Sequence, residues 1–215
     1  TSSRQLIIHE VMGRNCGWLT AYSSYLYRNK INVKKFLPQI GLIKNKWDIH
    51  AIYIPELQFS LSKEVERLNR IMDEFDCVNI FLSEGAGIDN IIKQKKNNNE
   101  EILYDAFGHY RLDDINPGKW YANYFKNKLK CDKVLVQKSG YFSRSAAPNT
   151  EDLELIVKHA DMAVECAKNG NSGVIGIDEK NNMLSCIDFN RIKGGKPFDI
   201  NVSWFKKIIK DIGQE

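Results

Sequence analysis

A chain of 215 residues can bury one α/β domain or two small lobes, and 43% hydrophobic with 27% charged residues is the balance of a folded globular protein, not a disordered one. The net charge of +4, from 31 basic and 27 acidic side chains, is too small and too dispersed to point to nucleic acid, although it leans slightly toward anionic ligands. No run of about 18 apolar residues suggests a membrane-spanning helix, so neither nucleic acid nor membrane is an expected partner.

The apolar run Leu6 to Met12 predicts a short strand that ends at Gly13. Leu19, Tyr22 and Leu26 then recur on one face of a helix. Ile49 to Ile54 reads as a second strand stopped by Pro55. Ser60 or Ser62 caps a helix with acidic Glu64 and Glu66 in its early turns and an apolar face of Val65, Leu68, Met72 and Phe75. A third strand, Val78 to Ser83, runs into Glu84 and the Gly85-Ala86-Gly87 turn, and a helix follows near Ile88 to Ile92.

Lys93 to Glu101 is the most polar stretch and reads as an exposed loop. Asn116 and Pro117 carry the start signal of a helix toward Leu129, whose Trp120, Tyr121, Tyr124 and Phe125 suit a core better than a base-stacking platform. Val134 to Gln137 is a further strand, and Asn149 or Thr150 opens a long helix that Gly170 closes. Gly173 to Ile177 and Met183 to Phe189 flank a turn-rich linker and predict a hairpin or neighbouring strands, and a final helix runs through Trp204, Ile208 and Ile212. Strands alternating with helices imply a mostly parallel sheet with helices on both faces, an α/β fold whose ligands sit beyond the carboxyl ends of the strands.

The strand ends and turns with polar, flexible residues are Met12-Gly13-Arg14, Glu84-Gly85, Gly108-His109 and Gly140-Tyr141-Phe142-Ser143-Arg144, a set suited to a polyhydroxylated anion. Gly13 allows close backbone approach, and Arg14, just before a helix, can place a guanidinium on a phosphoryl group. Glu84 can accept hydrogen bonds from sugar hydroxyls, or stand as a surface acid paired with a lysine. Tyr141 to Arg144 suits a phosphate-wrapping loop before a helix, or an ordinary loop. His109 is a candidate phosphate donor or a structural histidine, while His9 lies within a strand and His50 and His159 have no partner at ligand spacing. No metal-ligand spacing, Ser-His-Asp arrangement or nucleotide-binding glycine fingerprint is present. Cys16, Cys77, Cys131, Cys166 and Cys186 lack CxxC spacing, and four of them adjoin apolar or helical stretches. That favours buried free thiols and a reducing, cytoplasmic compartment.

The stretch EVMGRNCGWLT from Glu10 to Thr20 resembles the fructose 6-phosphate-binding signature of the 6-phosphofructokinase family. The resemblance continues in order through Ile54-Pro55-Glu56, Ser83-Glu84-Gly85-Ala86-Gly87, Asp105-Ala106-Phe107-Gly108-His109 and Tyr141-Phe142-Ser143-Arg144, and covers essentially the whole chain. It implies that Met12, Gly13 and Arg14 contact the sugar phosphate, with Arg14 also near the transferred phosphoryl group. By the same resemblance Glu84 binds the sugar, and Tyr141 with Arg144 forms the Tyr-x-x-Arg substrate motif of the pyrophosphate-dependent branch. Arg4 is the nearest counterpart of a cation that reaches a neighbouring subunit's site.

Where ATP-dependent members carry Gly-His-x-x-Arg, this chain reads Gly108-His109-Tyr110-Arg111-Leu112, a departure toward the pyrophosphate branch. The family's Gly-Gly-Asp donor loop, which holds magnesium, and its Thr-Ile-Asp-Asn-Asp segment with the catalytic base do not occur in these residues. Together with the opening at Thr1, this implies the C-terminal half of a phosphofructokinase-like fold, incomplete at the N-terminus. Residues 1–115 would form the sugar-phosphate lobe and residues 116–215 the rest.

The expected activity is transfer of a phosphoryl group from pyrophosphate to the 1-hydroxyl of fructose 6-phosphate. Magnesium and the donor would be held mainly outside this chain, in a homo-oligomer. The alternatives are an ATP-dependent enzyme or a noncatalytic sugar-phosphate-binding subunit.

Overall fold

A computed structural model describes residues 3–192 and 194–214; Thr1, Ser2, Lys193 and Glu215 lie outside the described residues. Two compact units separate. One comprises residues 1–141 and 197–215, the other residues 142–196.

The first unit is built on four parallel strands, β1 (Gln5–Val11), β2 (Ala51–Tyr53), β3 (Cys77–Ser83) and β4 (Lys133–Lys138), in the order β2-β3-β1-β4. Every residue of the central strand β3 is buried, which is why its sequence reads as a continuous apolar run. Alternation assigns the sheet's two faces. Leu6, Ile8, Tyr53, Ile80 and Leu82 join a core with Leu68 and Met72 of α3 (Leu61–Phe75) and Tyr121 and Phe125 of α6 (Pro117–Lys128). On the other face Val11, Ile52 and Phe81 pack with Ala21 of α1 (Trp18–Asn32) and with Phe205 and Ile208 of α9 (Ser203–Asp211). The parallel sheet covered on both faces is the architecture read from the sequence.

Local signals explain the element ends. Pro117 occupies the first turn of α6, and the Asn116 side chain accepts from the Lys119 N–H. Ser60 precedes α3 without a side-chain cap and pairs with the Ser62 hydroxyl instead. The short helices α2 (Lys44–Trp47) and α5 (Leu112–Ile115) complete the unit with α4 (Ile88–Asn97). α4 corrects one expectation: Lys93 to Asn97 is helical, not loop. Buried Ile91 and Ile92 anchor the preceding turn, and Lys95 and Lys96 sit in the last turn, where cations favour the helix dipole.

Across the unit boundary lies α7 (Gly140–Ser145), so the segment expected as a phosphate-wrapping loop is instead a short helix. The second unit contains α8 (Thr150–Lys168) and the antiparallel hairpin β5 (Val174–Asp178) and β6 (Met183–Ile187). Asn149 and Asp152 form a reciprocal capping box at the start of α8, and Gly170, at φ +69°, ends it. The expected division at residue 115 lies within the first unit, because α6 and β4 belong to its helix layer and sheet. Among the described residues no helix is long and apolar enough to cross a membrane.

Candidate functional site

The strands are parallel, so the loops after β1, β2 and β3 emerge at one end of the sheet. After β1 the chain turns sharply at Gly13, whose φ of +146° excludes a side chain and whose missing Cβ would meet the Cys16 carbonyl. The turn is pinned to the end of β3. The Glu84 N–H donates to Val11 O at 3.0 Å, the Gly85 N–H to Gly13 O at 3.2 Å, and the Gly13 N–H to Glu84 Oε1 at 3.2 Å. The Ser83 hydroxyl also donates to Gly13 O. A Cβ on Gly85 would overlap the Arg14 carbonyl, so this glycine lets the two loops touch.

From β2 comes Glu56, whose carboxylate accepts the Gly17 N–H at 3.0 Å and the Phe198 N–H at 2.7 Å. A carboxylate thus sits at the start of α1 and ties the turn after β1 to the chain's return at residue 198. Sequence reasoning quoted Glu56 and gave it no role; its place just beyond a strand end was the signal.

These loops open onto a cavity of about 780 Å³, lined by Arg14, Asn15, Gly85, Asp89, Asn90, His109 and Tyr110 among others. Arg14 Nη1 donates to Tyr110 O at 3.2 Å and stands 3.8 Å from Asp105 Oδ2. His109 Nδ1 approaches the same oxygen at 3.5 Å. The other oxygen, Oδ1, accepts the N–H groups of Phe107 and His109 at 2.9 Å each. The His109 N–H foremost, with the Phe107 N–H and the nearby His109 and Arg14 charges, holds the Asp105 carboxyl below the usual aspartate value. Asp105 therefore stays ionised and collects Arg14 and His109. It was not among the expected site residues, although an Asp four residues before a His in a Gly-containing turn is a legible signal.

Of the expected site residues, Met12, Gly13, Arg14 and Glu84 are thus placed by the loops after β1 and β3, and His109 by the segment between α4 and α5. Arg14 and His109 line the cavity, and Glu84 adjoins its wall at Gly85. Met12 packs beneath Gly140. Tyr141 is exposed at the end of the first unit, and Phe142, Ser143 and Arg144 are exposed residues of α7 in the second.

Arg4 is not gathered with the others. It precedes β1 at the opposite end of the sheet, where its guanidinium pairs with Asp73 at 2.9 Å and donates to Leu129 O at 3.0 Å. These contacts tie α3 to the end of α6 and account for the residue structurally. Among the described residues there is no cluster of three or more His, Cys, Asp or Glu that could hold a metal ion.

No family model matches the chain. It is 50% identical over 212 residues to the pyrophosphate–fructose 6-phosphate 1-phosphotransferase of Methylotuvimicrobium alcaliphilum, a match that covers 98% of this chain and 52% of the relative. It is 51% identical, with the same coverages, to the enzyme of that name from Propionibacterium freudenreichii. The fold is shared with the pyrophosphate-dependent phosphofructokinase of Marinobacter aquaeolei, at a TM-score of 0.55 and 20% identity over 100% of this chain and 48% of that one. The chain spans about half the length of the curated relatives it matches. Over nearly its whole length, then, this sequence is similar to one half of a pyrophosphate-dependent fructose 6-phosphate phosphotransferase.

Proposed function

We propose that the protein carrying this chain transfers a phosphoryl group from pyrophosphate to the 1-hydroxyl of fructose 6-phosphate, and that this chain supplies the sugar-phosphate side of the site. The observation that carries the reading is the convergence of Arg14 and His109 on one polar cavity beyond the carboxyl ends of β1 and β3.

The role of each residue follows from its chemistry. Arg14 offers a permanent cation to a phosphoryl group, and that charge counts most where negative charge develops during transfer. Glu84, fixed by the Gly13 N–H, presents a carboxylate to sugar hydroxyls that do not react. His109 donates to phosphate oxygens, and Tyr141 with Phe142, Ser143 and Arg144 forms a further substrate contact. Most of the acceleration in this reaction class comes from positioning and from cations at the transferred group. Magnesium would neutralise the donor's charge. It would be held, with the donor and the proton acceptor, by residues outside this chain. Five free thiols fit a reducing compartment, the cytoplasm, and a homo-oligomer is the assembly we expect.

The test measures fructose 1,6-bisphosphate formation by the native protein carrying this sequence, with pyrophosphate and with ATP as donors. Pyrophosphate should give the higher kcat/KM. A tenfold preference for ATP, worth about 1.4 kcal/mol in the transition state, would overturn the donor assignment, and no product from either donor would favour a noncatalytic binding subunit.

A further inference from the structure

The segment that carries Arg14 is held at both of its ends. On one side Gly13 is fixed to the end of β3, where its carbonyl accepts from the Gly85 N–H and from the Ser83 hydroxyl. On the other side Gly17 is fixed to the chain just beyond β2, where both oxygens of Glu56 lie 3.0 Å from its N–H. Arg14, Asn15 and Cys16 span the gap, and the first two line the cavity. The place from which the guanidinium reaches out is therefore set by these two anchors.

The second anchor is stiff. Glu56 Oε1 also accepts the Phe198 N–H at 2.7 Å, a short bond of the charge-assisted kind. Phe198 is itself buried, with its ring 5.1 Å from that of Phe205 and 5.7 Å from that of Trp204. The backbone at residue 198 is thus a fixed post in the core, and Glu56 braces Gly17 against it. The fit at Gly17 leaves no slack, because a Cβ there would overlap Ile54 and crowd Glu56 Oε2. Pro55 and Leu57, on either side of Glu56, line the cavity, while both Glu56 oxygens are committed to backbone N–H groups. Any effect of Glu56 on chemistry in the cavity must then pass through the backbone it holds.

We infer that Glu56 is a positioning residue for phosphoryl transfer: it fixes the start of α1, and with it the place from which Arg14 reaches the transferred group. The inference rests on the assignment of Arg14 to that group. Placement is demanding, since a misplacement of about 1 Å can cost about a hundredfold in rate. In this role the reach of the side chain counts, not its charge, and two substitutions separate the two. Glu56→Gln loses the charge but keeps a carbonyl oxygen where Oε1 accepts both the Gly17 and the Phe198 N–H. Glu56→Asp keeps the charge but withdraws the oxygens by one methylene, so it cannot meet both N–H groups without moving the turn.

The test is steady-state kinetics of the native protein carrying this sequence, with fructose 6-phosphate varied and each Glu56 variant made in the parent and in an Arg14→Ala background. In the parent, Glu56→Asp should lower kcat by about tenfold or more while KM stays within about threefold, the split of an interaction felt in the transition state. Glu56→Gln should keep both constants within about threefold of the parent. In the Arg14→Ala background Glu56→Asp should cost less than about twofold more, because the group it places is gone. A purely structural role would instead cost the same in both backgrounds, and that result overturns the inference. It is equally overturned if Glu56→Gln loses as much kcat as Glu56→Asp, since charge is then what counts. An Arg14→Ala loss beside a parent-like Glu56→Asp refutes the inference alone. A parent-like Arg14→Ala refutes the assignment of Arg14, and the inference with it.

Discussion

The Arg14 guanidinium stands 3.8 Å from the Asp105 carboxylate. The arginine proposed to meet a phosphoryl group thus rests against an internal anion, with the Tyr110 carbonyl as its second partner. A ligand phosphate must compete with Asp105 for that cation. Asp105→Asn removes the competing charge and keeps an oxygen for the Phe107 and His109 N–H groups. Inorganic phosphate should therefore bind the chain about two- to fivefold more tightly, the range of a partly exposed ion pair. Asp105→Ala, which loses the turn's acceptor as well, should bind more weakly than the parent. Calorimetric titration of both variants checks this, and an Asp105→Asn variant that binds phosphate no more tightly than the parent would show that Asp105 does not compete for Arg14.

At the sheet's free edge, the Ile52 N–H donates to Gln214 Oε1 and Gln214 Nε2 donates to Ile52 O, each at 2.8 Å. One side-chain amide serves both backbone groups of a fully buried residue as a neighbouring strand would. Gln214→Ala strands both groups and should lower unfolding stability by about 2 to 6 kcal/mol, at about 1 to 3 for each buried unsatisfied group. Urea denaturation measures it, and a loss below about 0.5 kcal/mol would show that water replaces the amide.

Burial lowers the values of both His50 and His9. His50 is also fixed as neutral by its partners, since Nδ1 accepts the Asn79 N–H at 2.9 Å and Nε2 lies 2.9 Å from Asn45 O. With the folded value below the unfolded 6.5, the unfolded chain binds more protons as pH falls through that range. The contribution is fully present above pH 6.5 and is lost as pH drops below it. Unfolding stability should therefore fall on acidification from neutrality. His50→Asn, which can keep an acceptor for Asn79, should flatten the slope without abolishing it, because His9 contributes with the same sign. An unchanged slope would remove His50 from the account.

Sequence patterning located β3 because it is buried along its length and β1 because Leu6, Ile8 and Val11 are buried, and the caps at Asn116 and Asn149 because their signals are local. The turn at Gly13 and the place of Glu84 just beyond β3 were legible for a related reason, since chemistry-bearing residues at strand ends have few alternatives in a parallel sheet. What escaped depends on distant partners. Arg4 resembled a ligand cation until Asp73 and Leu129 claimed it, and Gln214 gave no sign that it closes the edge of β2. Glycine and serine around Tyr141 suggested a loop, where the chain forms a helical turn with exposed side chains.

The most direct measurement of the central claim compares Glu84→Gln and Arg14→Ala in steady-state kinetics of the native protein, with fructose 6-phosphate as the varied substrate. Glutamine retains an acceptor for the Gly13 N–H, so the first substitution removes charge from the sugar contact without releasing the turn. It should raise KM by an amount worth about 1.5 to 3 kcal/mol while kcat falls less. Arg14 faces charge that grows during transfer, and its loss should lower kcat by about two to three powers of ten. If both variants keep KM and kcat within about twofold of the parent, a difference of about 0.4 kcal/mol, the site beyond β1 and β3 is not where the sugar phosphate reacts.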